Sequence, residues 1–197
     1  MRTRIEHRIF GYGTAATILA AALAASTAAA GNPVVDLQQH DQSRGVVASA
    51  TGGGHFLVGG SLDVTFAFSA NQHPDGTASG HSRHQVELGG LPIDFSSEVI
   101  CVSVDPQNRR AWVGAVITQN RSEHPAFTQE RNQPGRDIWF RVLDNGQGQA
   151  AADRSTFVGF EGDAGIITSE EYCETMPWPA DNARTSPVTQ GNLQVRP

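Results

Sequence analysis

The side chains suited to acid–base chemistry are concentrated in one polar stretch, residues 119–135. His124 stands there beside Glu123, and Glu130 follows within the same stretch. General acid–base catalysis requires such groups within hydrogen-bond reach of each other and of a substrate. The sequence does not show that they meet, and a charged loop is commonly just solvated. A hydrolase or isomerase that uses His124 with Glu123 or Glu130 is therefore an alternative hypothesis, and no residue is assigned as catalytic.

The remaining histidines do not form a metal-binding pattern. His81 and His84 lie in a stretch that we expect to be a strand, and their spacing places the two rings on opposite faces. A zinc site needs three or four ligands, and neither H-x-H nor C-x-x-C occurs in the sequence. We therefore expect neither a bound metal nor another cofactor.

The first thirty residues resemble a secretory signal peptide. Three arginines precede the uncharged, Ala-rich stretch 9–29, and the segment closes on Ala28-Ala29-Ala30. A basic region, a short apolar region and a small-residue site are the features of a cleaved signal. The alternative is a membrane anchor, but strongly apolar residues are few for a spanning helix. We expect residues 1–30 to be removed and 31–197 to form one domain, secreted or periplasmic, with no transmembrane segment after cleavage.

The charge of the chain argues against nucleic acid as a partner. Three of the 14 basic and one of the 20 acidic residues lie in residues 1–30, which leaves a formal charge of −8 on the remainder. Nucleic acids and anionic lipids are bound through clustered cations. We therefore expect an unknown small molecule or a cell-envelope component as the partner.

The two cysteines, Cys101 and Cys173, are predicted to form a disulfide bond. Two thiols in an exported protein tend to pair, and the chain-entropy model gives a bridge over so long a loop roughly 4 kcal/mol. The alternatives are two buried free thiols or part of a metal site. A bridge would hold the second long loop, 168–190, on the strand that contains Cys101.

The apolar residues predict an all-β fold, because they recur with period two and nowhere sustain the 3.6-residue period of a helix. In the clearest stretch Leu62, Val64 and Phe66 alternate with more polar residues. Turn signals separate about eight such runs, including 156–160 and 193–195, which indicates a single antiparallel barrel or sandwich, mostly up-and-down, without helices. The predicted core residues are Val64, Phe66, Phe68, Ile100, Val102, Phe140, Val142, Val158 and Phe160.

Two long polar segments, 119–135 and 168–190, interrupt this meander. Long loops on a rigid scaffold often carry binding residues. Their aromatic rings offer apolar contact, and their charged groups can fix the orientation of a ligand. If the loops share one rim of the barrel, the predicted ligand-binding residues are Glu123, His124, Phe127, Arg131, Tyr172 and Trp178.

Short motifs along the chain support a resemblance at the level of the family. They are Gly52-Gly53-Gly54-His55-Phe56, Phe66-x-Phe68-x-Ala70, Asp75-Gly76-Thr77 with Gly80, Val99-Ile100-Cys101-Val102, Ala111-Trp112-Val113-Gly114, Phe140-Arg141-Val142-x-Asp144-Asn145-Gly146 and Gly191-Asn192-Leu193-Gln194-Val195. Their order resembles a family of uncharacterised exported bacterial β-rich domains. The resemblance implies a barrel or sandwich fold and brings no functional residues, and the two long loops lie outside it.

The leading functional hypothesis is an exported, non-enzymatic domain that binds a small molecule or an envelope partner. It depends on the export signal, the β pattern, the acidic charge and the lack of a catalytic motif. Besides the enzyme that uses His124, a purely structural envelope domain is the second alternative.

Overall fold

Eight antiparallel strands close into a barrel, in which each strand pairs with the next along the chain and the last pairs with the first. The computed structural model describes residues 45–146, 151–159, 168–179, 182 and 184–197. The predicted signal peptide and Phe160 lie outside these residues. The predicted all-β, eight-stranded, up-and-down architecture is confirmed. The strands are β1 Ala48–Val58, β2 Leu62–Gln72, β3 Ala78–Leu88, β4 Leu91–Asp105, β5 Arg110–Asn120, β6 Asp137–Leu143, β7 Arg154–Ser155 and β8 Ser186–Arg196.

The predicted alternation explains the filled interior of the barrel. On β2, Val64, Phe66 and Phe68 are buried, whereas Asp63 and Thr65 face solvent. Every second side chain points to the same face of a strand, so each strand contributes a row of apolar groups to one common core. The predicted core residues found there are Val64, Phe66, Phe68, Val102, Phe140, Val142 and Val158.

The prediction for Ile100 is wrong because β4 is irregular at that position. The register between β4 and β5 shifts between Val99 and Cys101. A β-bulge adds one residue to a strand and so reverses the alternation beyond it. Val99 and Val102 therefore both belong to the core, while Ile100 is only half-buried.

The regular strand pairing of the barrel is shortest between β6 and β8, where β7 forms two residue pairs with each neighbour. A strand was predicted over 156–160, but β7 ends at Ser155. The next residues still follow β6, since Thr156 N–H donates to Arg141 O at 3.0 Å and Gly159 N–H to Trp139 O at 2.8 Å. Phe157 and Val158 thus reach the core from a segment that lies outside the regular ladder.

The structure corrects the prediction of a helix-free chain. Helix α1, Ser169–Thr175, lies in the second long loop, and Thr168 caps it by accepting from Glu171 N–H at 3.1 Å. The helix packs on the outer face of β4, β5 and β6. The predicted disulfide is confirmed: Cys101 and Cys173 are bonded at 2.03 Å, which fastens α1 to β4. Among the described residues, no helix combines the length and the apolar character that crossing a membrane requires.

The seam between β1 and β8 depends on glycine. Gly54 pairs with Gly191, and Gly54 has a φ of 151°. A Cβ on Gly54 would lie 1.9 Å from Gln190 O, which is far inside contact distance. The two backbones can approach closely enough to complete the barrel because this side chain is missing.

Candidate functional site

The end of the barrel near Asp144 is closed by polar groups. Asp144 accepts hydrogen bonds from Arg109, Gly146 N–H and Val195 N–H. Burial alone would raise the pKa of Asp144, but these hydrogen bonds hold it below its ordinary value. The carboxylate therefore stays ionised and connects the end of β6 to the start of β5 and to β8.

The opposite end of the barrel contains a wholly apolar cavity of about 50 Å³, here called the mouth cavity. It lies where the inward residues of β1 to β4 meet two aromatic rings that come from loops. A site of this kind, in the mouth of a β-barrel, is a common location for small-molecule binding. Its lining residues are Val58, Leu62, Val64, Val86, Leu88, Ile93, Phe127 and Phe157.

The loop between β5 and β6 folds back over the mouth cavity and brings Phe127 to it. Two short 3-10 helices, Pro125–Phe127 and Glu130–Asn132, shape the loop. Asn120 donates to both Phe127 O and Asn132 O at 2.8 Å, and so holds the loop from its base. Several polar side chains of this loop thus form hydrogen bonds within it, while its one phenylalanine packs against the cavity.

Phe127 and Phe157 meet edge to face across the mouth cavity. Their ring centroids are 6.2 Å apart, and Phe127 also contacts the ring of Phe95 at 6.1 Å. Such aromatic pairs are worth about 0.5–1.5 kcal/mol beyond the area that they bury. Both Phe127 and Phe157 belong to loop segments, so either ring can turn away without unpairing a strand.

His84 lies directly beneath this aromatic closure, on the inner face of β3. It is 1% exposed, and its ring is 4.8 Å from that of Phe140, 5.9 Å from Phe66 and 6.4 Å from Phe157. Neither ring nitrogen has a hydrogen-bond partner among the residues that the structure describes. Burial lowers the pKa of His84 from 6.5 to about 3, so the ring is neutral at physiological pH.

The other inward polar side chains near His84 are paired. Ser82 precedes it on the same face of β3, and its hydroxyl lies 2.6 Å from that of Ser97 on β4. Both serines are buried. The contrast is informative because the barrel satisfies one buried polar pair internally and leaves the neighbouring imidazole without a hydrogen bond from the described residues.

The structure divides the six predicted ligand-binding residues between different places. Phe127 lines the mouth cavity, and His124 stands 5.8 Å from its ring. Glu123 and Arg131 are exposed on the same loop. Tyr172 is fully buried outside the barrel wall and stacks on Trp139 at 6.0 Å.

Trp178 also belongs to the outer side of the barrel wall. The guanidinium groups of Arg184 and Arg141 lie 4.9 Å and 5.9 Å from its ring centre. Its carbonyl accepts a hydrogen bond from Arg110 at 3.3 Å. The two long loops therefore place their aromatic residues on opposite sides of the wall: Phe127 meets the interior, and Tyr172 and Trp178 cover the exterior.

The residues proposed for acid–base catalysis are engaged elsewhere. His124 Nδ1 accepts from Ala126 N–H at 3.2 Å and caps the first 3-10 helix, and Glu130 forms an ion pair with Arg136. Within the described part of the chain, no hydrogen bond or ion pair joins His124 to Glu123 or Glu130. That part of the chain also contains no cluster of three His, Cys, Asp or Glu side chains able to hold a metal ion.

A larger open groove of about 600 Å³ lies on the outer face of β2 to β5. Small side chains such as Ser69 and Ser96 form its floor, and His81 and Arg83 line it. It is more open to solvent than the mouth cavity and polar groups form a large part of its lining, whereas the mouth cavity is lined by apolar groups alone, as is typical of sites that retain small apolar molecules. We therefore place the candidate site at the mouth cavity.

On the sequence alone, His84 was considered only as a metal ligand and was not assigned to a binding site. The alternation that predicted the strand also carried the missing signal, because His84 shares the inward face of β3 with Ser82 and Val86. A histidine on a core-facing position is a buried polar group that needs an explanation. Comparison of the chain with protein-family models, curated proteins and solved structures gave no match.

Proposed function

We propose that this protein is an exported, non-enzymatic binding domain that takes a small apolar molecule into the mouth cavity. The observation that carries the proposal is the closure of an apolar cavity by two phenylalanine rings held on loops. Eight-stranded barrels have an interior just wide enough to be filled by side chains or to hold one small ligand. Among the described residues, apolar side chains fill the deep interior, and the mouth cavity lies at the end where Phe127 and Phe157 reach the barrel from loop segments.

The size of the mouth cavity indicates how binding proceeds. About 50 Å³ is well below the roughly 300–1,000 Å³ of ordinary ligand pockets. Rotation of Phe127 out of the cavity enlarges it, while the hydrogen bonds from Asn120 keep the loop in place. The ligand then replaces the contacts that Phe127 made with Phe95 and Phe157, and the cost of opening is the exposure of the Phe127 ring to water.

Export belongs to this proposal. The basic and Ala-rich residues 1–30 have the pattern of a cleaved signal, and a disulfide persists in oxidising compartments. Kinship with the uncharacterised exported β-rich domains is proposed on the same footing and adds no activity.

Toluene is the probe that tests the proposal, because it is small, apolar and uncharged. We expect toluene to raise the melting temperature of the protein, since a ligand of the native state stabilises it, and to shift NMR resonances of the residues that line the mouth cavity. Val86→Phe places an additional ring in the cavity and should weaken toluene binding at least about tenfold, which is about 1.4 kcal/mol.

Leu57→Phe is the matched control. Leu57 is 40% exposed on β1, so the substitution adds a ring outside the barrel. It should bind toluene as the parent does. Absence of any toluene-dependent shift in the parent protein would contradict the proposal, as would equal binding by the Val86→Phe variant with its native fold retained.

A further inference from the structure

We infer that His84 is the polar contact for the bound molecule, and that the ligand is a small uncharged ring compound that carries a hydroxyl group. This inference rests on the proposed function, because it assigns the chemistry of the same site. It starts from the ring nitrogens of His84, both of which are buried and lack a hydrogen-bond partner among the described residues.

An unpartnered imidazole in an apolar core is destabilising. Burying a polar group without a hydrogen bond has a substantial free-energy cost in proteins, and an apolar side chain of similar size would avoid that cost. The surrounding rings of Phe66, Phe140 and Phe157 provide packing and no conventional hydrogen-bond acceptor. A ligand that supplies the hydrogen bond would offset this cost only in the bound state.

His84 lies on the inner face of β3, two residues before Val86 and farther from the mouth of the barrel than the cavity. The inward residues of β3 run Ser82, His84, Val86 toward the mouth, and Val86 lines the cavity. Phe157 both lines the cavity and contacts the His84 ring, at 6.4 Å between centroids. Because Phe157 lies beyond the end of β7, it can turn aside and let a ring compound from the mouth reach the imidazole.

The environment of His84 selects an uncharged ligand. The neutral imidazole offers one N–H donor and one nitrogen acceptor. A carboxylate or an ammonium group would lose its hydration among aromatic rings without gaining a charged partner there. A hydroxyl group can donate to the imidazole nitrogen, and its ring can stack where Phe157 stood. The observations therefore favour a phenol or a cyclic alcohol over an acid or an amine.

Three probes that share one tolyl ring test the inference: p-cresol, toluene and p-toluate. We expect the protein to bind p-cresol about tenfold more tightly than toluene, as one satisfied buried hydrogen bond allows, and p-toluate most weakly. p-Cresol should shift the ring-nitrogen resonances of His84 through the new hydrogen bond, and toluene should not. His84→Leu should retain toluene binding and lose the preference for p-cresol.

His81→Leu is the matched control, because His81 lies on the outer face of the same strand, and it should keep that preference. Equal binding of p-cresol and toluene by the parent would overturn the role of His84 and leave the proposed function standing. A preference for p-cresol that survives in His84→Leu would do the same. Binding of neither probe would overturn the proposed function, and the inference with it.

Discussion

Replacing His84 by leucine should remove a large part of the acid sensitivity of this protein between pH 7 and pH 5. Burial lowers the pKa of His84 from 6.5 to about 3. Between these values the unfolded chain binds a proton at this position and the folded chain does not. The free energy of unfolding therefore rises with pH across this window, and it falls as the pH drops from 6.5 toward 3.

The magnitude follows from the part of this window that the two measurements span. One pKa unit corresponds to about 1.36 kcal/mol, and pH 5 lies about 1.5 units below the unfolded pKa, so the parent should lose roughly 2 kcal/mol through His84. The hydrogen bond from Arg83 lowers the pKa of Asp94 below its ordinary value of 3.8. The contribution of that carboxylate to stability is lost only at lower pH. A measurement at pH 5 therefore largely separates the effect of His84 from that of Asp94.

Urea unfolding of the parent, His84→Leu and His81→Leu at both pH values measures the effect. Between pH 7 and pH 5 the parent and His81→Leu should each lose roughly 2 kcal/mol more than His84→Leu does. At pH 7, His84→Leu should be as stable as the parent or more stable, because it removes an unpaired buried polar group. An identical pH dependence in the parent and His84→Leu would refute the reasoning, since it would mean that the folded protein protonates His84 readily.

Three further changes test the scaffold. Phe140→Ala should lower the free energy of unfolding by about 3–5 kcal/mol, because Phe140 is fully buried against Phe68 and His84; a loss below about 1 kcal/mol in urea unfolding would contradict its place in the core. Replacing Cys101 and Cys173 together by serine should cost about 2–5 kcal/mol, with peptide mapping of the parent under non-reducing conditions as the check on the bridge. Gly54→Ala should cost at least about 2 kcal/mol through backbone overlap and an unfavourable φ, and a melting temperature equal to that of the parent would argue against the close seam.

The sequence predicted the barrel because the strand period is a strictly local signal, and most strands here face a single core. The sequence-based prediction was wrong where the geometry depends on residues that are distant in the sequence. The bulge that removes Ile100 from the core arises from pairing between β4 and β5. Helix α1 has only seven residues, too few to show a helical period, although its Thr-x-x-Glu start at Thr168 was a readable capping signal.

The candidate site was partly predictable for a related reason. Phe127 was predicted as a ligand-binding residue of a long loop, and the structure places it at an apolar cavity. Tyr172 was predicted by the same argument, yet it lies on α1 and is buried against the outer side of the barrel wall. No local sequence pattern indicates whether the side chains of a loop pack inside or outside the barrel wall. The alternation along β3 already indicated that His84 faces the core. A histidine at such a position is a buried polar group, and this was the signal that could have identified it.

The residues around the mouth cavity come from different structural elements, and this determines how ligand preference can change in evolution. His84 is fixed by a strand that pairs on both sides, whereas Phe127 and Phe157 stand on segments outside the regular strand ladder. Substitutions at these two positions can therefore alter the size and shape of the accepted molecule while its hydrogen-bonding requirement stays the same. Descendants of one ancestor would then differ in the outline of their ligands and share the functional group that His84 recognises.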